Sequence, residues 1–144
     1  MERRPFLKIL SLILIAVLVS CKDRLSSTPT IVTGKIIDEN GDPLEGAGLR
    51  LSGSNLKGFS GYDTFSITAE SDRNGMYQLS QVAPEDTEQI SIASRSTSQI
   101  KIDNQHYKVY VFADGQYHLS ASPYDISRSA CGKTTTINYQ FIKQ

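Results

Sequence analysis

The fold of this chain is indicated most directly by residues 71–79, which read SDRNGMYQL. Asp and Asn side chains bond to nearby backbone in turns, and Gly75 can take the positive φ that a tight turn requires. Tyr77 and Leu79 then follow two residues apart, so both side chains would point to one face of a strand and fill a core. The stretch therefore predicts a chain reversal that leads into a half-buried strand, in the form of a hairpin.

A second turn of the same kind lies upstream, in residues 34–47, which read GKIIDENGDPLEGA. The residues before the turn, 31–37, are rich in β-branched side chains, as strands are. Gly41 follows an Asn and supplies a positive-φ position, and Pro43 belongs in a loop or at the start of a strand. Beyond the turn, Leu49 and Leu51 alternate with polar or small residues, which predicts a second strand.

The rest of the chain continues in the same β pattern. Further strands are predicted at residues 65–69, 76–79, 90–92, 107–112, 117–119 and 135–141, with a hairpin turn at Asp114-Gly115. We expect an all-β, antiparallel sandwich of seven or eight strands. The residues expected in its core are Tyr77, Leu79, Ile90, Ile92, Val109, Val111, Ile137 and Tyr139.

The two turn regions resemble those of carboxypeptidase regulatory-like domains. These domains open with Gly-x-Val/Ile-x-Asp, Gly-x-Pro-Leu and Gly-Ala, which residues 34–47 resemble, and residues 71–79 resemble their later Asp-x-x-Gly-x-Tyr/Phe-x-Leu. The similarity covers residues 31–93, lacks the usual Gly after Pro84, and does not extend into 94–144. The resemblance implies a transthyretin-like (prealbumin-like) sandwich that accompanies catalytic or transport modules without doing chemistry. A fold of this kind specifies no function by itself.

The N-terminal 21 residues, MERRPFLKILSLILIAVLVSC, form a basic start, a short apolar run and a small residue before Cys21. The apolar run is too short to span a bilayer, which needs about 20 apolar residues. The pattern resembles the lipobox of bacterial lipoproteins, which implies a signal helix in residues 1–20, removed on processing, and an acylated (palmitate-bearing) Cys21. We expect a flexible tether over residues 21–30 and the β-sandwich over residues 31–144.

The resemblance places the protein in the bacterial cell envelope, lipid-anchored, with the outer membrane favoured. Lys22-Asp23 is similar to the signals that send some lipoproteins to the cell surface, although those usually continue with an acidic residue where Arg24 stands. The periplasmic face and the cell surface both remain open. Two or three acyl chains give stable anchoring, whereas a single chain would be marginal.

The charge balance argues against a nucleic-acid partner. Residues 1–20 hold three of the fifteen basic and one of the fifteen acidic residues, so the remaining chain carries twelve against fourteen, a formal charge of −2. Nucleic-acid binding would call for a basic patch. Acylation of Cys21 would leave Cys131 without a disulfide partner, and we interpret Cys131 as a buried structural thiol.

Known catalytic and metal motifs find little support in the sequence. Asp38, Asn40 and Asp42 have calcium-loop spacing, but Pro43 and Leu49 stand where an EF-hand needs Gly and Glu, so we read a turn. His106 and His118 fall several residues out of register about the Asp114-Gly115 turn, and we expect both in solvent. The C-terminal Tyr-Arg-Gly-Ser of the transthyretin-like hydroxyisourate hydrolases is absent. We expect no enzyme activity, cofactor or metal.

Aromatic side chains are the candidates for ligand binding. Tyr110 and Phe112 share one face of a predicted strand, and Val109 and Val111 share the other. If the valine face is core, Tyr110 and Phe112 form a surface patch for a sugar or a protein. A second set of candidates, Phe59 and Tyr62, lies in a glycine-containing loop.

Three functions follow in order of preference. The first is a non-catalytic envelope lipoprotein whose sandwich binds or scaffolds another envelope component. The second is a carbohydrate-binding module at the cell surface. The third is a small hydrolase, which would need a pocket joining His106 or His118 to a carboxylate or to Cys131.

Replacement of Cys21 by Ala tests the anchor. We expect the variant to stay in precursor form or to leave the membrane fraction, because acylation of this thiol is what holds the mature chain. The measurement is the distribution between carbonate-washed membranes and supernatant, with Cys131→Ala as the matched control. Equal membrane retention and normal processing of Cys21→Ala would contradict the lipoprotein interpretation.

Overall fold

The computed structural model describes residues 25–58 and 60–144, and the predicted signal helix lies outside them. The described residues form a two-sheet β-sandwich, which confirms the predicted fold class. Its strands are β1 (Thr30–Ile37), β2 (Gly48–Asn55), β3 (Tyr62–Glu70), β4 (Met76–Gln81), β5 (Gln89–Arg95), β6 (Tyr107–Ala113), β7 (Gln116–Leu119), β8 (Tyr124–Ile126), β9 (Thr134–Thr136) and β10 (Tyr139–Lys143), with one 3₁₀ turn at Arg128–Ala130. Within this part of the chain, no helix is long and apolar enough to cross a membrane.

The two sheets are built from distant parts of the chain. The first sheet has the order β4-β1-β10-β6-β7, with β9 also beside β1, and the second has the order β3-β2-β5-β8. Neighbouring strands are antiparallel except that β9 and β10 run parallel to β1. The sequence predicted antiparallel pairing throughout. The parallel pairs join the first and last strands, and no local turn signal marks such a contact.

The last predicted strand, residues 135–141, is divided into β9 and β10. At the division, Ile137 N donates to Thr33 O at 2.9 Å, and Lys35 N donates to Asn138 Oδ1, also at 2.9 Å. The Asn138 side chain thus accepts the bond from Lys35 N that a backbone carbonyl would accept in a regular strand pair, and residues 137–138 stay beside β1. This division, together with the short strand β8 that was not predicted, accounts for ten strands where the sequence predicted seven or eight.

The core lies between the sheets and contains every residue predicted for it. These residues are Tyr77, Leu79, Ile90, Ile92, Val109, Val111, Ile137 and Tyr139, all buried. The other large side chains with almost no exposure include Ile36, Leu49, Leu51 and Phe141. Burial follows the period of two along β1, β4, β5, β6 and β10, because alternate side chains point to opposite faces of a sheet.

Both Asn-Gly turns have the positive φ that the sequence predicts, +88° at Gly41 and +72° at Gly75. The Asp that begins each turn holds it: Asp38 Oδ1 accepts bonds from the backbone of residues 40 and 42, and Asp72 Oδ1 from residues 74 and 76, at 2.8 and 2.9 Å in each case. The prediction of hairpins at these turns is wrong, however. Each turn passes the chain between sheets, β1 to β2 and β3 to β4. Turn residues specify a reversal, not the sheet that the next strand joins.

Part of the predicted tether is docked on the sandwich. Thr28 Oγ1 donates to Gly132 O at 2.9 Å, and Gly132 N donates to Thr30 Oγ1 at 2.8 Å. Leu25 packs against the core, and β1 already begins at Thr30. The prediction of a flexible tether over residues 21–30 is therefore corrected for residues 25–30. Their Ser and Thr hydroxyls bond to a distant backbone segment, which a local composition argument does not detect.

Two buried tyrosines provide a matched test of the core. Tyr77 Oη donates to Ile137 O at 2.6 Å, whereas Tyr139 Oη is buried without a hydrogen-bond partner among the described residues. The rings are neighbours, with centroids 6.3 Å apart. We expect Tyr77→Phe to cost about 1–3 kcal/mol, because the Ile137 carbonyl loses its donor, and Tyr139→Phe to be neutral or stabilising. The midpoints of urea unfolding measure the stability of both variants. Equal losses of stability in the two variants would contradict the different hydrogen bonding of the two hydroxyls.

The two turn glycines differ in the space around them. A Cβ on Gly41 would meet no atom within 4 Å, whereas one on Gly75 would overlap Ile36 O and approach Leu44 N and Pro43 Cα to 3.3 Å. Both Ala variants carry a left-handed penalty of about 1–2 kcal/mol. We expect Gly75→Ala to cost about 1–3 kcal/mol more than Gly41→Ala, through overpacking against backbone. Thermal melts that show equal losses for the two variants would rule out this difference in packing.

Candidate functional site

The β6–β7 hairpin carries an aromatic and aliphatic patch on its outer face. Val109 and Val111 are buried, which leaves Tyr110 and Phe112 on the opposite face of β6. The strand register places Leu119 opposite Tyr110, and Tyr117 opposite Phe112. Phe112 is 41% exposed and Leu119 is 56% exposed. The four residues Tyr110, Phe112, Tyr117 and Leu119 are named the hairpin patch below.

The hairpin patch is held by rigid local structure. The β6–β7 turn has φ of +52° at Asp114 and +82° at Gly115, the conformation that suits a two-residue hairpin. The Phe112 and Tyr117 rings meet edge to face, with centroids 5.0 Å apart and planes inclined by 61°. Partial burial raises the pKa of Tyr117. Because β6 is also paired with β10, the aromatic rings lie on a fixed surface.

Tyr117 and Leu119 were not among the residues predicted to bind a ligand. The signal for them was present in the sequence. In a hairpin centred on Asp114-Gly115, residue numbers that sum to about 229 face each other, and this rule pairs Leu119 with Tyr110 and Tyr117 with Phe112. The same hairpin register that was used to separate His106 from His118 would therefore have identified Tyr117 and Leu119.

A cavity with both apolar and polar lining adjoins the hairpin patch. Its volume is about 280 Å³, and its lining includes Lys108 and Leu119 from the hairpin and Asp103, Asn104 and Ser120 from the loops. A second cavity of about 190 Å³ shares Ser120 with the first. Hydroxyl, amide, ammonium and carboxylate groups in one concave surface can bond a small polar ligand.

His106 and Asp103 form a pair beside this cavity. His106 Nδ1 lies 2.8 and 2.9 Å from the two Asp103 oxygens, and Lys101 Nζ lies 3.5 Å from Asp103 Oδ2. The hydrogen bond from His106 lowers the pKa of Asp103 to about 2. His118 is exposed on β7 opposite Val111, as the predicted register requires, so the strand pairing does not bring the two histidines together.

The other candidates lie elsewhere. Tyr62 begins β3 in the second sheet, and its hydroxyl donates to Asp86 Oδ2 at 2.7 Å, which raises the pKa of the phenol. Phe59 and Cys21 lie outside the described residues. Cys131 is buried, with Sγ 3.6 Å from Ser127 O, and burial raises the pKa of its thiol.

Residues 38, 40 and 42, which have the spacing of calcium ligands, form a turn. Asp38 Oδ1 is bonded to backbone N–H groups of the same loop, as described above. Across residues 25–58 and 60–144, no three His, Cys, Asp or Glu side chains are grouped to hold a metal ion.

No protein-family model matches this chain, and no curated protein matches it. Among solved structures, the chain is similar to the plantain pollen allergen Pla l 1 (16% identity, 81% of this chain and 95% of the allergen covered, TM-score 0.45). It is also similar to the major pilin subunit BcpA of Bacillus cereus (22%, 81% and 31% covered, TM-score 0.47) and to a 3-chlorocatechol 1,2-dioxygenase from Rhodococcus opacus (11%, 85% and 63% covered, TM-score 0.44). An allergen, a pilin and a dioxygenase indicate no single function.

Proposed function

We propose that this chain is a non-catalytic lipoprotein of the bacterial envelope, anchored through Cys21, whose β-sandwich binds another envelope protein through the hairpin patch. The observation that carries the proposal is the hairpin patch itself, in which Phe112 and Leu119 are exposed and Tyr110 and Tyr117 are half-buried on a rigid hairpin. Exposed apolar patches on soluble domains mark interaction sites, and Tyr is among the residues enriched in binding hot spots.

The sheet register supports this proposal by separating the patch from the start of β1, where the N-terminal segment lies. Ile36 in β1 pairs with Tyr139 in β10, and Tyr139 pairs with Val111 in β6, between Tyr110 and Phe112 of the patch. Val111 therefore lies six residue steps along the sheet from Thr30, where the docked N-terminal segment enters β1. At about 3.3 Å per residue this is about 20 Å. A partner can reach the patch without contacting the lipid.

The chemistry of Cys131 agrees with a non-catalytic role. Its thiol is buried, and burial raises its pKa, so it is held in the protonated form that is a poor nucleophile. We therefore assign Cys131 to packing and not to a hydrolase site.

A carbohydrate ligand is the second candidate. The cavity beside the patch favours it, because the cavity combines Lys108, Asp103 and Asn104 with the exposed Leu119. Sugars are bound by aromatic faces together with directed hydrogen bonds, and this arrangement offers both within one neighbourhood.

A matched pair of variants tests the proposed interface. Phe112 and Met76 are both on the outer face of the first sheet, 41% and 44% exposed, but Phe112 is on β6 and Met76 is on the far edge strand β4. We expect cross-linking of the lipidated chain in cells to yield a protein adduct that Phe112→Ser reduces at least about tenfold, as for a hot spot near 1.4 kcal/mol. Met76→Ser should leave the adduct unchanged.

Two results would overturn this function. Equal adducts from the wild type, Phe112→Ser and Met76→Ser would remove the patch as the interface. Binding to a glycan array that Phe112→Ser and Tyr110→Ser abolish, without a protein adduct, would replace the proposal with the carbohydrate-binding alternative.

A further inference from the structure

Several loops emerge at the end of the sandwich where the described chain begins. Thr30 at the start of β1 pairs with Gln81 at the end of β4, so the loop 82–88 leaves from this end. Asn55 pairs with Tyr62 across β2 and β3, and the neighbouring Ser54 pairs with Gln89. The loop between β2 and β3 therefore lies at the same end. We name it the anchored end, formed by residues 26–30, 55–58, 60–62, 82–88 and 127–133.

Hydrogen bonds join the parts of the anchored end to one another. The N-terminal segment is bonded to the 127–133 loop through Thr28 and Gly132, and Arg128 Nη2 in that loop donates to Glu88 O at 3.4 Å. The next loop is tied in by Leu56 N, which donates to Glu88 Oε2 at 2.9 Å. Hydrogen bonds therefore connect the N-terminal segment, residues 127–133, Leu56 and Glu88 into one surface at this end.

Apolar side chains are exposed where the strands meet these loops, after β2, at the start of β3 and after β4. Leu56 is 56% exposed, Tyr62 is 53% exposed and Val82 is 45% exposed, and they are three of the seven large hydrophobic residues exposed in the described chain. Tyr62 is fixed by the bond from its hydroxyl to Asp86, which leaves the ring in solvent. Ring and hydroxyl together suit a boundary between apolar and wet environments.

The lipid anchor would lie close to this surface. Leu25 packs against the core, and only residues 22–24 separate it from Cys21. Four residue steps span at most about 14 Å even when fully extended. An acyl chain on Cys21 would therefore enter the bilayer within that distance of Leu25, at the end of the sandwich that carries Leu56, Tyr62 and Val82.

We propose that Leu56, Tyr62 and Val82 contact the phospholipid surface, with their side chains in the boundary between headgroups and acyl chains. This inference rests on the proposed acylation of Cys21. Apolar side chains near an anchored lipid gain free energy by leaving water, as they do in interfacial helices that sit about 5–10 Å into the headgroup boundary. Lys57 is paired with Glu88 at 3.6 Å, and the other two cations of the anchored end, Arg128 and Lys133, lie in the 127–133 loop. The proposed contact is through the apolar side chains, and its independence of salt is part of the test.

A pair of equally exposed leucines tests the contact. Leu56 at the anchored end and Leu119 in the hairpin patch are each 56% exposed. Each is replaced by Cys in the full lipidated chain and labelled with a polarity-sensitive fluorophore, while Cys131 is shielded by burial. The proteins are reconstituted into phosphatidylcholine vesicles that contain a lipid brominated in its acyl chains. We expect a blue shift and loss of emission for the label at Leu56→Cys and neither change at Leu119→Cys, at low and high salt.

The outcomes separate this inference from the anchoring on which it rests. Protein that floats with the vesicles but shows no quenching at residue 56 would overturn the contact and leave the anchor in place. Quenching at both positions would also overturn it, because the domain would then lie on its side. Protein without acyl mass that fails to float would overturn both. Loss of the residue-56 signal in high salt would replace the apolar contact with an electrostatic one.

Discussion

The placement of the C-terminal strand is the constraint on which the rest of this structure depends. Strand β10 lies between β1 and β6 and is the connection between the β4–β1 and β6–β7 parts of the first sheet. The close approach at its start requires Gly34, since a Cβ there would overlap Ile137 O. The Tyr77 hydroxyl bonds to the same carbonyl, which satisfies a polar group that the close packing would otherwise leave buried without a donor. A glycine in β1, a tyrosine in β4 and a carbonyl between β9 and β10 thus fix how the two ends of the domain meet.

This arrangement couples the two exposed surfaces mechanically. The hairpin patch stands on β6, which pairs with β10, and β10 pairs with β1, which begins at the docked N-terminal segment. Every step in this path is a backbone ladder without an intervening flexible loop. Strand pairing of this kind transmits position with little freedom, so the height of the patch above the anchored end is set by register. Inserting β10 between strands from distant parts of the chain also makes the contact non-local, and the first sheet is completed only when the C-terminus has joined it.

The sequence predicted the features that local chemistry controls. Alternation of apolar residues identified eight core residues between Tyr77 and Tyr139, and all eight are buried. The Asn-Gly pairs identified both positive-φ turns. It did not predict which sheet each strand joins, because a turn of the Asp38 type reverses the chain equally well within a sheet or between sheets. It also missed the docking of residues 25–30 and the parallel pairing of β10, whose partners lie about a hundred residues away. For the candidate site, face alternation gave Tyr110 and Phe112, and the same turn register would have given Tyr117 and Leu119.

The short link to the proposed anchor gives the hairpin patch a defined working range. A long tether would let the domain sample a wide shell above the membrane, whereas residues 22–24 allow only a short excursion. A partner embedded in or resting on the same membrane would therefore meet the patch in a thin layer, and confinement to that layer raises the effective concentration of the pair without any added contact. A modest patch of four side chains can suffice under those conditions, because part of the entropy cost of association is already met by anchoring both partners to one surface. With Cys21 acylated as proposed, the domain would be a rigid spacer that holds an aromatic surface about 20 Å from its anchored end.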